Sequence, residues 1–455
     1  MTFPSYQVYK SSGQDWIGEM PGHWHIYRSK NVFSERNIKA VESDEQLTAS
    51  QKYGVIPQKL FCQLEDQKVM QVILGRDILK KAEVNDFVIS MRSFQGGLEF
   101  CSYSGAVSSA YVPLHANREL DNRFFKHLFK SVSFISALQN TSNLVRDGQA
   151  LRYNNFVQLS LPFPSINEQR TIGAFLDHET TRIDALIEEQ QQLIELLKEK
   201  RQAVISNAVT KGLDPTAPMK DSGVEWLGDV PAHWKVSKLG HYAQILTGFP
   251  FPSASFSHDE SDVRLLRGAN IGVGSLKWID TVYWSLSEGD NLSSYLMEEG
   301  QIVLGMDRPW ISEGMRIARV TKEDMPCLLL QRVAAISPSA ELDDEYLFCL
   351  LASELFKTYV EPDLTGVSVP HISPEQIMSF QISVPEIGEQ RRISSFIRNQ
   401  LDQMAALFEQ ASESVELLQE RRSALISAAV TGKIDVRGWQ PPASEQTPEL
   451  EQEAV

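Results

Sequence analysis

Apolar residues recur at steps of three and four along two long stretches of the chain, 165–212 and 386–437. This spacing places the apolar side chains on one face of a helix, and neither Pro nor Gly interrupts the central part of either stretch. The pattern predicts two long helices, each about 50 Å long at ~1.5 Å per residue. Because a helix with one apolar stripe is unstable alone in water, we expect the two helices to pack against each other.

The two stretches are copies of one another. Residues 168–210 align with 389–431 at a constant offset of 221 residues, without a gap and with 19 of 43 positions identical. A second similarity, at offset 210, pairs Trp16 and Trp24 with Trp226 and Trp234. The chain is therefore an internal duplication. The stripe residues predicted to form the helix-pair interface are Ile183, Leu186, Ile187, Leu193, Ile194, Leu197 and Val204 in the first copy, and Met404, Leu407, Phe408, Val415, Leu418 and Leu425 in the second.

Outside the long helices the pattern changes to short β-rich runs, such as 86–90 and 301–305, which alternate with turns and shorter helices. This mixture predicts an α+β fold with two globular domains, and the duplication predicts an internal repeat with two long helices that pack together. The predicted order is a globular domain at 1–164, the first long helix at 165–212, a globular domain at 213–385, the second long helix at 386–437 and a disordered acidic tail at 438–455.

Composition places the chain among folded proteins with several domains. It has 455 residues, of which 42% are apolar and 22% charged. No apolar run is long enough for a membrane helix, and the first residues lack a signal-peptide pattern, so we expect a cytoplasmic protein. The four cysteines form no C-x-x-C pair, which argues against a disulfide framework and a zinc site.

The net charge of -16 is unusual for a protein that binds nucleic acid, and most of it lies in one place. The segment 213–385 holds 12 Lys and Arg against 24 Asp and Glu, whereas 1–164 is slightly basic. Local basic surfaces are therefore compatible with the composition. We expect any DNA affinity of the isolated chain to be modest.

Motifs for catalysis are missing from the sequence. The chain has no Asn/Asp-Pro-Pro-aromatic loop for adenine methylation, no G-x-x-x-x-G-K-[ST] loop for ATP and no H-E-x-x-H pair for zinc. The sequence therefore predicts a chain that recognises a partner, with no catalytic residue and no metal or cofactor of its own.

Side chains that recognise base edges are concentrated in a few loops. Arg binds guanine through two hydrogen bonds and Asn or Gln binds adenine in the same way, so loops rich in these residues are candidates for DNA contact. Arg92 and Arg308 stand out because each follows a matched β-rich run in its own globular domain. The full candidate set is Arg92, Ser93, Gln95, Arg146, Gln149 and Arg152 in the first domain, and Arg264, Arg267, Asn270, Arg308, Trp310, Ser368 and His371 in the second.

Three motifs give the chain a family resemblance. They are the Pro-x-x-x-Glu-Gln-Arg sequence at 164–170 and 385–391, the helix ends at 201–206 and 422–427, and the segment from Glu225 to Trp234. Together they resemble the specificity subunit of type I restriction-modification systems. The resemblance implies two target-recognition domains that each recognise one half of a bipartite DNA site. It also implies a pseudo-twofold internal repeat, in which the two long helices form an antiparallel coiled coil that separates the domains and sets the spacer.

The same resemblance implies partners and cofactors. Two methylation subunits would bring S-adenosylmethionine, and two motor-nuclease subunits would bring ATP and Mg. Two other interpretations remain open on the residues alone. One is a bivalent adaptor that binds two proteins and has no DNA sequence preference; the other is a single-chain restriction enzyme, which the missing catalytic motifs disfavour.

Overall fold

The computed structural model describes residues 3–66, 78–141, 151–287, 289–312, 314–364 and 370–440. The chain divides into two compact units. Unit 1 comprises Met1–Gln191 and Glu413–Val455, and unit 2 comprises Gln192–Ser412. Each unit therefore contains one globular domain and a part of both long helices. In the described ranges, no helix combines the length and the apolar character that crossing a membrane requires.

The elements that precede the second globular domain are mostly short, except for one long helix. The strands are β1 Tyr9–Ser11, β2 Glu19–Pro21, β3 His25–Arg28, β4 Phe33–Glu35, β5 Leu47–Ser50, β6 Gly54–Pro57, β7 Lys80–Ala82, β8 Phe87–Ile89, β9 Glu99–Phe100, β10 Gly105–Val107, β11 Val112–Ala116 and β12 Ser160–Phe163. The helices are α1 Gln58–Glu65, α2 Ser93–Gly96, α3 Asn122–Lys130, α4 Val132–Gln139, α5 Tyr153–Phe156 and α6 Ile166–Lys211.

The remaining elements again end in one long helix. The strands are β13 Met219–Asp221, β14 Asp229–Pro231, β15 Lys235–Lys238, β16 Ala243–Thr247, β17 Val263–Leu266, β18 Val273–Gly274, β19 Tyr283–Trp284, β20 Ile302–Gly305, β21 Trp310–Ile311, β22 Gly314–Met315, β23 Ile317–Arg319, β24 Cys327–Leu329, β25 Val333–Pro338 and β26 Gln381–Val384. The helices are α7 Asp344–Ala352, α8 Glu354–Val360, α9 Pro374–Ser379 and α10 Ile387–Val430.

The duplication extends into the globular domains, where the sequences differ. The main sheet of unit 1 has the order β4-β11-β8-β9, and that of unit 2 has the order β16-β25-β20-β23-β18. The first four strands of the two sheets correspond one to one and are antiparallel in both units. The α+β fold with an internal repeat and two long helices is therefore confirmed. Unit 2 adds β18, which pairs with β23 in parallel.

The Pro-x-x-x-Glu-Gln-Arg motif fixes the start of each long helix. In unit 1, Gln169 Nε2 donates to the Pro164 carbonyl at 2.9 Å, while its Oε1 accepts from the backbone N of Asp121 at 3.0 Å. In unit 2, Gln390 makes the equivalent bonds to Pro385 at 2.8 Å and to Asp343 at 2.7 Å. Both glutamines are fully buried, so each joins a helix start to the N-cap residue of a neighbouring helix, α3 or α7.

The long helices run antiparallel, as the contacts inside each unit show. In unit 1 the first half of α6 meets the second half of α10, where Arg422 Nε and Nη2 donate to Asp184 Oδ1 and Oδ2 at 2.7 and 3.2 Å. In unit 2 the order is reversed, because Ile205 near the end of α6 shares a core with Ile397 near the start of α10. Both long helices thus contribute to the core of each globular domain.

The predicted helix-pair interface is partly wrong. Ile183, Leu197, Met404 and Leu425 are buried, and Ile187, Ile194, Val204, Val415 and Leu418 are half-buried. Leu186, Leu193, Leu407 and Phe408, however, are 37%, 39%, 49% and 39% exposed. The physical reason is that a pair of helices covers only about two positions in seven, which is narrower than the stripe itself.

The predicted disorder of the tail is wrong at its first residues. Trp439 lies against α6, with its ring 5.7 Å from that of Phe175 and 5.6 Å from that of His178. An aromatic side chain that buries one face on a helix is held in place by that contact. The remainder of the predicted tail, 441–455, lies outside the described residues.

Candidate nucleic-acid interface

The loop that follows β20 in unit 2 gathers basic side chains around one carboxylate. Asp307 Oδ1 accepts from Arg332 Nη1 at 3.0 Å and lies 2.8 Å from His371 Nδ1. Arg316 Nη1 donates to the Asp307 carbonyl at 3.1 Å, and its Nε donates to the Ile271 carbonyl at 3.0 Å. Four segments of unit 2 therefore converge at this point, which we call the Asp307 cluster (Asp307, Arg308, Arg316, Arg332 and His371).

Arg308 is one of two exposed arginines in the cluster. Its backbone N donates to the Pro370 carbonyl at 2.7 Å, and its φ of 45° lies in the left-handed region that few residues other than glycine adopt. Arg332 is also exposed and has a φ of 71°. Strained backbone of this kind persists where the surrounding contacts hold it, and it is concentrated at binding sites. We find no partner for the Arg308 guanidinium among the residues that the structure describes.

The cluster is cationic although the domain around it is acidic. It contains three arginines and one aspartate, and burial together with the charge of Arg308 lowers the pKa of Arg316. An arginine remains charged despite such a shift, so an excess of positive charge persists at the cluster. The net charge of the domain therefore conceals a local surface that suits a phosphate or a guanine edge.

The remaining candidates of unit 2 are placed differently. Arg264 Nη1 donates to the Glu323 carbonyl at 3.2 Å, and Arg267 donates to the Asp280 carbonyl. Each guanidinium therefore already makes a hydrogen bond within the protein. Asn270 is fully buried, with Oδ1 accepting from Arg267 N at 3.1 Å and Nδ2 donating to the Lys277 carbonyl at 3.0 Å. As a direct base contact Asn270 is therefore wrong, because its amide is already satisfied.

The two remaining candidates of unit 2 are Trp310 and Ser368. Trp310 lines a cavity against α6, so we do not assign it to the Asp307 cluster. Ser368 lies outside the described residues. In unit 2 the structure thus brings Arg308 and His371 together and adds Arg316 and Arg332, which the sequence did not indicate.

In unit 1 the segment after β8 and the segment before α5, which both contain predicted DNA contacts, line one concave surface. A cavity of about 470 Å³ is lined by Met91, which follows β8, and by Arg152, which precedes α5. Lys80 lines the same cavity and lies 3.3 Å from Glu35. Arg92, next to Met91, is exposed, and its charge opposes the effect of burial, which raises the pKa of Tyr111.

The other predicted DNA contacts of unit 1 are Ser93, Gln95, Arg146 and Gln149. Gln95 is exposed on α2. Ser93 is fully buried, and its hydroxyl accepts from the backbone N of Ser90 at 2.8 Å, so Ser93 is wrong as a DNA contact and instead holds the turn that presents Arg92. Arg146 and Gln149 lie outside the described residues.

The described residues offer no group of three or more His, Cys, Asp and Glu side chains that could hold a metal ion. The surfaces around Arg92 and Arg308 carry exposed hydrogen-bond donors. Each occupies the loop after the same strand of a repeated sheet, since β8 and β20 hold corresponding positions. The geometry therefore fits two binding surfaces of one design with different side chains.

Comparison with known proteins shows what the chain is similar to. Residues 231–417 match the family model of the type I restriction modification DNA specificity domain. The MjaVIII specificity subunit of a type I restriction enzyme from Methanocaldococcus jannaschii is 27% identical over 359 residues, which span 78% of this chain and 80% of the relative. The chain is thus similar to type I restriction enzyme specificity subunits, and its residues 231–417 are similar to their DNA specificity domain. This confirms the resemblance of its sequence motifs.

Three further comparisons agree with this similarity. The EcoAI specificity subunit of Escherichia coli is 31% identical over 209 residues, or 46% of this chain and 35% of the relative. A solved chain from a study of assembly and conformational transition of the type I R-M system covers 91% of this chain with a TM-score of 0.67 at 16% identity. The HsdS subunit of Thermoanaerobacter tengcongensis covers 93% with a TM-score of 0.52 at 17% identity. These two structures support the fold.

Proposed function

We propose that this chain is the DNA sequence-specificity subunit of a type I restriction-modification complex, and that each unit recognises one half of a bipartite site. One observation carries the proposal. The two units repeat the same sheet, yet the loop after the matched strand presents Arg92 in unit 1 and the Asp307 cluster in unit 2. A repeated scaffold with unlike basic surfaces is what two different half-sites on one duplex would require.

Base recognition by these surfaces follows from their side chains. An exposed arginine can donate two parallel hydrogen bonds to guanine N7 and O6, and each such pair contributes about 1–3 kcal/mol of discrimination. Arg308 has a side chain available for such a contact, while Arg332 and His371 are positioned by Asp307. In our proposal Arg308 contacts a base, and Asp307 holds Arg332 and His371 at the groove.

The acidic charge of the chain is compatible with this role if partners share the phosphate contacts. Non-specific affinity for DNA depends on the number of phosphates that Lys and Arg neutralise, and the net charge of -16 limits that number. We propose that two methylation subunits with S-adenosylmethionine, and two motor-nuclease subunits with ATP and Mg, supply both the missing contacts and the chemistry. The chain itself would be a recognition subunit without catalytic residues, acting in the cytoplasm.

The exposed leucines of the long helices are candidates for contact with the methylation subunits. In unit 1, Leu186 and Leu417 are 37% and 57% exposed. Leu186 follows Asp184 by two residues and Leu417 precedes Arg422 by five, and Asp184 and Arg422 form an ion pair. In unit 2, Leu196 and Leu407 are 61% and 49% exposed and occupy the equivalent positions of the repeat. Large apolar side chains that stay exposed on a repeated helix pair favour a protein contact at each copy.

A map of methylated adenines tests the proposal. The chain should be expressed with its methylation subunits in a host that lacks other adenine methylation, and the genome sequenced for modified adenines. We expect one bipartite motif with a fixed spacer, and we expect exchange of 1–164 for the corresponding block of another specificity subunit to change one half alone. The bivalent protein adaptor predicts no motif, and a change in both halves would contradict modular recognition.

Substitution of single arginines in the same assay tests the assignment of the two surfaces. We expect Arg308→Ala to reduce methylation of the cognate motif about 10- to 100-fold and to relax sequence preference in one half, because it removes one bidentate contact worth about 1–3 kcal/mol. Arg92→Ala is the matched control, with the same loss in the opposite half. If both substitutions relax the same half, the assignment of one half-site to each unit is wrong.

A further inference from the structure

Unit 2 contains a cavity between α6 and the globular domain that the proposed DNA contacts do not use. Its volume is about 430 Å³. One wall is formed by α6, another by β21 and β22, and a third by the junction of α7 and α8. The residues that matter for its chemistry are Glu195, Lys198, Glu199, Arg201, Gln202, Trp310, Met315, Ala352, Glu354 and Lys357.

Arg201 is the cation of this cavity that has no counter-ion. Lys198 pairs with Glu195 at 2.8 Å and Lys357 pairs with Glu354 at 3.3 Å, whereas no described residue accepts a hydrogen bond from the Arg201 guanidinium. Burial lowers the pKa of Arg201, and no neighbouring charge contributes to that shift. A charge withdrawn from water without a partner is costly, so an anion at this position would be stabilising.

The duplication supplies an internal reference for this position. The repeat aligns Arg201 with Arg422, and Arg422 makes two hydrogen bonds to Asp184 at 2.7 and 3.2 Å. The position of Asp184 is occupied in the second copy by Ala405. Unit 1 therefore carries its own carboxylate, and unit 2 has kept the arginine but lost the acid. In unit 1 the corresponding cavity, lined by Arg422 and Ser423, measures about 190 Å³, less than half the volume in unit 2.

The lining of the unit 2 cavity favours a single carboxylate over a polyanion. Glu195, Glu199 and Glu354 lie at its walls, and Glu195 and Glu354 are paired with Lys198 and Lys357. A duplex, with its dense row of phosphates, would be repelled by these acids. Trp310, Met315 and Ala352 provide apolar surface that suits the stem of a side chain. A planar carboxylate also matches the guanidinium in two parallel hydrogen bonds, as Asp184 does in unit 1.

We propose that this cavity receives the carboxylate of an Asp or Glu side chain from the methylation subunit, which takes the place that Asp184 fills in unit 1. The inference rests on the proposed function, because it assumes that methylation subunits bind along the helix pair. It further implies that the two copies of the repeat do not bind their methylation subunits in the same way: unit 2 has an acceptor for an acidic side chain that unit 1 has filled internally.

The binding of purified methylation subunit to the intact chain tests the proposal. We expect Arg201→Met to weaken binding about 10- to 100-fold, the usual effect of one charge-assisted pair. We expect Ala405→Asp to weaken binding to a similar extent while the chain remains folded, because the new carboxylate would bind Arg201 as Asp184 binds Arg422. The matched control is Ala405→Asn, which has the same size without the charge and should bind as the unaltered chain does.

The outcomes separate the inference from the function on which it rests. Equal affinities for Ala405→Asp and Ala405→Asn would overturn the inference while leaving the proposed function intact. If the unaltered chain fails to bind methylation subunits, the proposed function fails first. If Arg201→Met and Ala405→Asp weaken the binding of duplex DNA to the chain alone, the site accepts phosphate and the carboxylate assignment is wrong. Circular dichroism and the thermal midpoint of each variant confirm that the chain is folded.

Discussion

Replacing Glu168 with alanine is expected to lower the free energy of unfolding of unit 1 by about 3–5 kcal/mol. Glu168 is 5% exposed, and its Oε1 accepts from Tyr6 Oη at 2.8 Å and from Trp24 Nε1 at 3.0 Å. Its Oε2 lies 2.9 Å from His23 Nε2. Burial and the neighbouring Glu168 carboxylate raise the pKa of Tyr6, which keeps its hydroxyl protonated and donating. Alanine would leave two buried donors without an acceptor.

The second copy of the motif provides the matched control for Glu168. Glu389 occupies the same position of the repeat, but its side-chain contact is with the half-exposed His233 at 2.9 Å. Thr216 stands where unit 1 has Tyr6, and Trp234 Nε1 is buried without a partner among the described residues. Glu389→Ala should therefore cost about 1 kcal/mol or less, the range of exposed ion pairs. Hydrogen exchange measured peptide by peptide distinguishes the two units, and equal losses in both would refute this explanation.

The sequence predicts those parts of the fold that a local pattern of residues determines. The long helices were predicted because their period and the constant offset are visible without any knowledge of contacts, and α6 begins at Ile166 inside the expected range. The apolar stripe did not predict the width of the helix-pair interface. Leu186 and Leu407 fit the period but remain exposed, because the partner helix covers a narrower surface than the apolar stripe.

In the candidate binding surfaces, too, the sequence predicts only those residues that a local pattern marks. Arg308 could be predicted because it follows a β-rich run that the first domain repeats. Arg316 and Arg332 could not, since they lie just before β23 and β25, 9 and 25 residues from Asp307 in sequence, and only the fold brings them to it. Ser93 and Asn270 were misjudged for the opposite reason. A polar side chain in a loop has the same composition whether it faces solvent or closes a turn, and both of these close turns.

The spacing function of the helix pair predicts the largest change in specificity. Deletion of seven residues from each long helix, 188–194 and 409–415, is expected to shorten the preferred spacer by about three base pairs. The deleted segments are repeat equivalents and include the points at which the two units divide, after Gln191 and after Ser412. Seven residues shorten a helix by about 10.5 Å at ~1.5 Å per residue, and a base pair rises ~3.4 Å.

Seven residues are chosen because they are close to two full helical turns. The apolar stripe is displaced by only about 20°, so Leu197 and Leu425 can still face the core of their own units. Neither deletion removes a residue of the Asp307 cluster or the loop that carries Arg92. We therefore expect the bases recognised in each half-site to stay the same, while methylation of the original site falls toward the non-specific level, at least about 1,000-fold lower.

A change of length must be separated from a change of side chains. Replacing Glu188 and Glu189 with alanine, together with Glu409 and Glu413, alters the same segments at constant length and should leave the spacer unchanged. Methylated-adenine mapping reports the spacer and both half-sites in one experiment. An unchanged spacer in the deletion variant would mean that the helices do not set the separation of the half-sites, and a changed half-site would mean that recognition depends on the helices themselves. A shorter spacer with both half-sites intact is the outcome that an antiparallel pair, shortened equally in its two copies, requires.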